Sequence, residues 1–281
     1  MYPLRIYVVA HKSCKIPSDE TFCPIHVGRA ISGCSNEMSW MQGDDSGDNI
    51  SQKNFSYCEM TAHYWIWKNV HDTEYIGVCH YRRFFGVDIT EDKVKDLMTD
   101  ADVILVEPSY YVDSVFSYFA KYIGAENMTI LSMVMKKKCP EYFKTLEKIC
   151  DGIKFHPFNM LLCRKTLFDN YCEWMFVILE ECEKYIKPSP YTNARRALAY
   201  MAELLTGTYF IHRDLKIKSV PYYKVENNQK FKVANSEDDL RKYTLLESLL
   251  QNKMADKVRS DRKEKFDNPA IFLGLRKDGI I

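Results

Sequence analysis

The spacing of apolar positions changes several times along the chain, and each change marks an element. Residues 4–10, LRIYVVA, are a β-branched run that stops at His11, the pattern of an opening buried strand. Residues 17–49 are rich in Gly, Ser, Asp and Asn and read mostly as loop, with GDDSGDNIS (43–51) the most polar part. A long polar loop directly after an early strand is more often functional than a linker. From Asn54 the period becomes helical, with Tyr57, Thr61, Tyr64, Trp65 and Lys68 at three- and four-residue spacings, and Asn69 is a residue type that ends helices. EYIGVCHYRRFFGV (74–87) reads as a strand centred on 76–79 that runs into the polar cluster His80, Tyr81, Arg82, Arg83. DADVILVEP (100–108) is a further short strand, and its unbroken VILV suits a parallel strand covered on both faces.

Residues 111–150 predict helix with the lysines at 136–138 outward. Residues 155–186 predict a short strand over 159–163 and then a long amphipathic helix, and 195–213 predict a helix that breaks at Thr206-Gly207. From about Glu237 the pattern is helical and charged. Leu240, Tyr243, Leu245, Leu246, Leu249 and Leu250 form an apolar stripe, followed by a basic end from Lys253 to Lys265. Strands alternating with helices imply an α/β sheet flanked by helices. The division expected is one domain over 1–225 and a charged helical extension over 226–281.

Composition narrows the function classes. With 281 residues, 46% hydrophobic and 27% charged, the chain is ordinary globular protein with ample core. Its formal net charge of +1 supplies no global field toward nucleic acid, which is not expected as a partner. The apolar run at 6–10 is too short for a signal segment, and no stretch approaches the ~20 apolar residues of a membrane helix. A cytoplasmic location is expected, peripheral at the membrane at most, with the basic end of the tail near anionic lipid. Ten cysteines without a C-x-x-C spacing, several of them in apolar or helical segments, read as small buried hydrophobes.

The chemistry concentrates in a few places. A strand that carries His80, Tyr81, Arg82 and Arg83 to its C-terminal end puts them where open α/β sheets bind ligands, and paired guanidiniums suit a phosphate. The bland alternative is a pair of surface salt bridges. Asp44, Asp45 and Asp48 lie in a loop able to hold a hard cation or simply to be solvated. Asp100 and Asp102 have Asp-x-Asp spacing but precede their strand. Arg196 and Glu203 stand two helical turns apart on one side, and Glu203 lies in the apolar run AYMAELL, which raises a carboxyl pKa and suits a general base. An Arg–Glu structural pair is the competing reading.

The segments GDNIS (47–51), N-x-x-Y-C-E-x-T-x-x-Y-W-x-W-K-N (54–69), Y-I-G-x-x-H-Y-R-R (75–83), H-P-F-N-M (156–160) and Arg196 with Glu203 together resemble a family of capsule and O-antigen glycosyltransferases. The resemblance covers roughly residues 4–225. It implies a GT-A-like nucleotide-sugar-binding fold, a UDP-sugar donor and a glycan acceptor, lipid-linked in such pathways, with galactofuranose or galactose the favoured sugar and inversion the favoured course. The family usually has Arg after the glutamate of the last motif, where this chain has Leu204. His80, Tyr81, Arg82, Arg83, His11, Asn49 and Tyr57 become candidates for the donor nucleotide and diphosphate. His156, Asn159 and Arg196 become candidates for the sugar or acceptor, and Glu203, with Asp48 and Glu59 in reserve, for the base. HYRR stands where such enzymes commonly carry a metal-binding Asp-x-Asp, so no metal is expected to be needed, with Mn or Mg the alternative. The competing classes are a non-catalytic nucleotide- or glycan-binding module and a phosphotransferase. The latter is disfavoured because no G-x-x-x-x-G-K-[ST] loop is present.

Overall fold

A computed structural model describes residues 2–187, 189–226 and 229–247. In chain order the strands are β1 (Tyr2–Ala10), β2 (Phe22–His26), β3 (Gln42–Gly43), β4 (Thr73–His80), β5 (Arg83–Phe85), β6 (Val103–Val106), β7 (Ser109–Tyr110), β8 (Lys154–Phe155), β9 (Leu161–Arg164), β10 (Ile217–Val220), β11 (Tyr222–Glu226) and β12 (Gln229–Val233). The helices are α1 (Asn54–Tyr57), α2 (Met60–Asn69), α3 (Glu91–Leu97), α4 (Val115–Ile123), α5 (Ala125–Lys138), α6 (Pro140–Asp151), α7 (Lys165–Glu183), α8 (Thr192–Arg195) and α9 (Ala197–His212).

The main sheet runs β10-β6-β9-β4-β1-β2-β3. It is parallel throughout except at β9, which lies antiparallel between β6 and β4. Alternate residues of the central strands feed two cores. Tyr7, Val9, Ile76, Val78, Leu161 and Cys163 face the large helical layer of α1, α2, α4 to α7 and α9, whereas Leu4, Ile6, Val8, Cys79 and Leu162 face α3 and the β5 side. Each core strand is thus buried on both faces, which is why VILV reads as an unbroken apolar run.

Four sequence expectations change. The stretch 17–49 contains β2, hidden because Pro24 and two flanking polar segments read as loop. Pro24 is tolerated because β3 pairs only with Ile25 and His26, so at Pro24 the strand is an edge. The single helix expected over 54–69 is broken at Cys58, whose φ of 47° is left-handed. The break is held by Asn54, whose side chain donates to the Cys58 carbonyl at 2.7 Å. Asn159 lies before β9 with φ 52° rather than inside a strand. Helix α9 runs through Thr206 and Gly207 without breaking, because Gly207 is buried in the helical layer and tertiary packing outweighs its poor helix propensity.

Strands β11 and β12 form a hairpin that continues from β5 beside the sheet. Residues 237–247 are helical, as expected, and dock by Tyr243 stacked on Tyr110 at 4.1 Å and by a Lys154–Glu247 ion pair. Leu240 and Leu245 of the expected stripe are exposed. Leu249, Leu250 and the basic end lie outside the described residues. No helix among the described residues is long and apolar enough to cross a membrane.

Candidate active site

A cleft of about 770 Å³ opens at the C-terminal edge of β1 and β4, lined by Val9 and His11 from the first and by the residues that follow the second. There the chain turns sharply: His80 pairs with Arg83 across the β4–β5 corner, with Tyr81 and Arg82 at the turn. The sequence HYRR is therefore a corner and not a simple strand end. His11, Tyr81, Arg82 and Arg83 all line the cleft. His11 packs edge-on to Tyr81, and Arg82 lies over the same ring at 5.1 Å.

The arginines of this cleft differ from others in the molecule. Arg5, Arg29, Arg164 and Arg241 each have a carboxylate within salt-bridge distance. Arg82, Arg83, Arg195 and Arg196, all lining the cleft, have none among the described residues. Arg83 packs its guanidinium on the Phe158 ring at 4.2 Å, and its Nε is buried without a hydrogen-bond partner. No carboxylate among the described residues stands within salt-bridge distance of HYRR; Glu226 and Glu203 act on its arginines only through space. Cationic side chains held on aromatic faces, with open donors, form an anion-binding surface.

Three acids line the cleft with them: Glu226, which acts on Arg82 and Arg83 through space, and Glu59 and Glu203, which come from the helical side. Glu59 enters the cleft because α1 and α2 are separated at Cys58, and its Oε1 accepts from Asn159 Nδ2 at 2.8 Å. Glu203 enters from α9, where Arg196, Tyr200 and Glu203 follow one another on a single face. Burial, with the like charge of Glu59 second, raises the Glu203 carboxyl to about 8. A backbone hydrogen bond from Phe158 and the charge of Arg83 oppose the shift without cancelling it.

Phe158 ties these groups together. It and Asn159 are consecutive left-handed residues, φ 77° and 52°. Such a conformation costs energy in a bulky residue and persists only where the surroundings over-determine it. The Phe158 carbonyl accepts from His80 Nε2 at 2.7 Å while its N–H serves Glu203. Because a carbonyl oxygen only accepts, Nε2 carries a proton, and burial lowers the His80 pKa.

Other candidates lie elsewhere. Tyr57 is fully buried, stacked on Phe176, and its hydroxyl donates to Glu183. Asp48 is exposed and accepts from Tyr64, while Asn49 caps its own turn by bonding to Gly47 and Ser51. His156 donates from Nδ1 to the Val106 carbonyl at 2.8 Å, and Asn159 is buried beneath Glu59. None of these five lines the cleft, whereas Arg196 does. Asp44 accepts four hydrogen bonds, from Gly28 N, Arg29 N, Ser51 Oγ and Thr61 Oγ1, which leaves its oxygens committed. Asp102 accepts from Lys216 N at the start of β6, at the opposite end from the cleft. Among the described residues no group of three His, Cys, Asp or Glu side chains is placed to hold a metal ion.

One side of the cleft is built from residues that no motif in the sequence marks. Tyr111, Tyr118, Tyr122, Phe155 and Tyr200 form a contiguous aromatic wall there, and Arg195 and Lys224 add to the rim. The signal available was tyrosine density: Tyr110, Tyr111, Tyr118 and Tyr122 fall within one short stretch.

Residues 5–214 match the family described as Domain of unknown function (DUF4422). The chain belongs to that family. Its matched span contains Glu59, Glu203, the HYRR corner and the aromatic wall of the cleft. A solved structure with a similar fold is the apo form of WbbM, described as a bifunctional glycosyltransferase. The similarity has a TM-score of 0.70 at 26% identity and covers 83% of this chain but 46% of WbbM. The chain therefore spans less than half the length of that protein. No curated protein matches the chain in sequence. The largely parallel sheet flanked by helices is a GT-A-like architecture, as the family resemblance implied.

Proposed function

We propose that this DUF4422 protein is a glycosyltransferase that moves a hexosyl group from a UDP-sugar to a hydroxyl of a growing surface glycan, with galactofuranose or galactose as the favoured sugar. The observation that carries the reading is the single cleft in which arginines without carboxylate partners face a carboxyl whose pKa is raised to about 8. WbbM, similar over most of this chain, is described as a glycosyltransferase, which supports the same class.

In this reading Arg82 and Arg83 hold the donor diphosphate by charge-assisted hydrogen bonds and stabilise the charge that develops on it. Glu203 is the base. The acceptor hydroxyl gives its proton to the Glu203 carboxylate, its oxygen bonds to the anomeric carbon, and the bond from that carbon to the diphosphate breaks. The electron pair leaves with UDP. A single displacement of this kind inverts the anomeric centre. A carboxyl poised near neutral pH is well matched to such a transfer, since it is deprotonated in a usable fraction yet basic enough to accept. Glu59, held by Asn159, fixes the second negative charge beside it and so keeps the Glu203 carboxylate basic. A divalent metal is not required for leaving-group stabilisation here, because the guanidiniums supply it.

The acceptor is proposed to be lipid-linked and the enzyme to act at the cytoplasmic membrane surface, with the basic tail from Lys253 to Lys265 near anionic lipid. Incubating the purified protein with a panel of UDP-sugars and a hexose acceptor tests the central reaction. Release of UDP from one or more donors, abolished in Arg82→Ala, is the expected result; a panel with no UDP release overturns the reading.

A further inference from the structure

The cleft is chemically divided. One end carries the HYRR corner, the other is a wall of phenol rings, and Arg196 stands between them, acting on both His11 and Tyr200. Tyr111 follows β7, Tyr118 and Tyr122 lie one turn apart on α4, and Tyr200 projects from α9. Their centroids step along at 4.0 Å from Tyr111 to Tyr118, 4.8 Å to Tyr122 and 5.9 Å to Tyr200. The successive planes are inclined by 40°, 47° and 36°.

Three physical features restrict what such a wall can take. The rings carry no charge of their own, and the cations that border them, Arg195 and Lys224 at the rim and Arg196 one turn from Tyr200, leave the ring faces to an uncharged ligand. Its faces are apolar but its rims carry hydroxyls, the combination that suits a ring with C–H bonds on its faces and O–H bonds around its edge. The stepped inclination gives no flat slot for a planar base, whereas a puckered ring can rest against successive facets. Position adds a fourth argument. Tyr200 and Glu203 are three residues apart on α9, hence on one face, and the charge of Glu203 acts on both Tyr200 and Tyr111. A ring resting on the wall has its edge beside Glu203.

From this juxtaposition we propose that the tyrosine wall is the acceptor subsite and binds a neutral hexose unit of a glycan, turning one hydroxyl toward Glu203. The inference rests on the glycosyltransferase reading for its direction, but the binding it asserts is separately measurable. Tyr122 is 38% exposed and Tyr200 is half-buried, so both can be truncated with little loss of core.

The test is saturation-transfer NMR on the full chain with two probes: UDP, and a panel of neutral di- to tetrasaccharides of galactose, glucose and mannose. The wild type is expected to bind at least one saccharide in the presence of saturating UDP. The double variant Tyr122→Ala, Tyr200→Ala is expected to lose that signal at least tenfold while its UDP Kd moves less than twofold. Tyr122→Phe with Tyr200→Phe, which keeps the faces, is expected to retain saccharide binding and serves as the folding control. Two results overturn the proposal: no member of the panel binds the wild type, or the alanine pair weakens UDP tenfold, which would make the wall a nucleoside platform. Saccharide binding without any UDP binding leaves the wall standing and removes the donor reading instead. UDP binding without saccharide binding does the reverse.

Discussion

Asp44, fully buried just after β3, and Glu203, half-buried in the wall of the cleft, are held in opposite ways. The Asp44 carboxylate is met by two backbone N–H groups and two hydroxyls within 3.2 Å. Two of those donors are preset by the chain itself. Gly28 adopts φ 65°, and a Cβ there would stand 2.7 Å from the Asn54 side chain, so only glycine lets the loop close on the acid. Glu203 has a single backbone donor, a like charge nearby and burial working against its ionisation. The same contrast separates salt-bridged Arg29 from Arg82 and Arg83, which have no carboxylate within salt-bridge distance, and the relaxed strands from the left-handed Phe158 and Asn159. A buried charge whose partners are complete is part of the scaffold. One whose partners are missing is held ready for a ligand or a proton, at a cost in stability that the rest of the fold absorbs.

The contrast can be broken first at Glu203. Glu203→Gln is expected to lower kcat by about a thousandfold, within the range for removal of a general base, while raising Tm by roughly 2 °C or more. The sign of the stability change follows from proton linkage. Between about 4.5 and about 8 the folded protein keeps a proton on Glu203 that the unfolded chain has released, so stability falls as pH rises across that window. The glutamine variant should lose that slope in thermal melts taken across the window. Activity runs the other way: wild-type kcat/KM should climb with pH to a plateau above about 8, and a flat profile over that range would remove Glu203 as the base.

Asp44→Ala attacks the scaffold side. Four donors lose their acceptor at once, and about 3 kcal/mol or more of stability should go with them in chemical denaturation. Folded protein that survives should keep the wild-type pH profile, and a shifted profile would mean that the two acids are not separate in role. Of similar size, Arg82→Ala and Arg83→Ala should each cut kcat/KM by about a hundredfold, or 2.7 kcal/mol, with Tm little changed because neither has a carboxylate partner to orphan. Wild-type turnover in both variants would return HYRR to the surface. The smallest effect expected is that of chelation. Excess EDTA should leave UDP release within about twofold of the untreated rate, since the guanidiniums supply the leaving-group charge. A collapse restored by Mn or Mg would move that role to acids of the cleft or of the exposed loop.

Much of this molecule was legible in its residues because local rules and tertiary demands agree there. The β-branched runs of β1 and β6, the strand feeding HYRR, and Glu203 inside AYMAELL all follow from period and polarity, and they suffice for the α/β class and for an acid in apolar surroundings. What the sequence could not determine depends on contacts distant along the chain. Pro24 hides β2 until its neighbour β3 is seen to leave that edge free. Glu59 faces the cleft only because Cys58 turns left-handed under the grip of Asn54, and Asn159 lies beneath Glu59, 100 residues away, instead of in a strand. Tyr57 has helical spacing like its neighbours, but the packing of α7 gives its hydroxyl to Glu183. The tyrosine wall is assembled from a loop, α4 and α9, with no shared period to betray it. Sequence by itself sets which faces are apolar and which residues carry charge; the tertiary structure decides which of those charges find partners, because a partner's distance along the chain bears no relation to its distance in space.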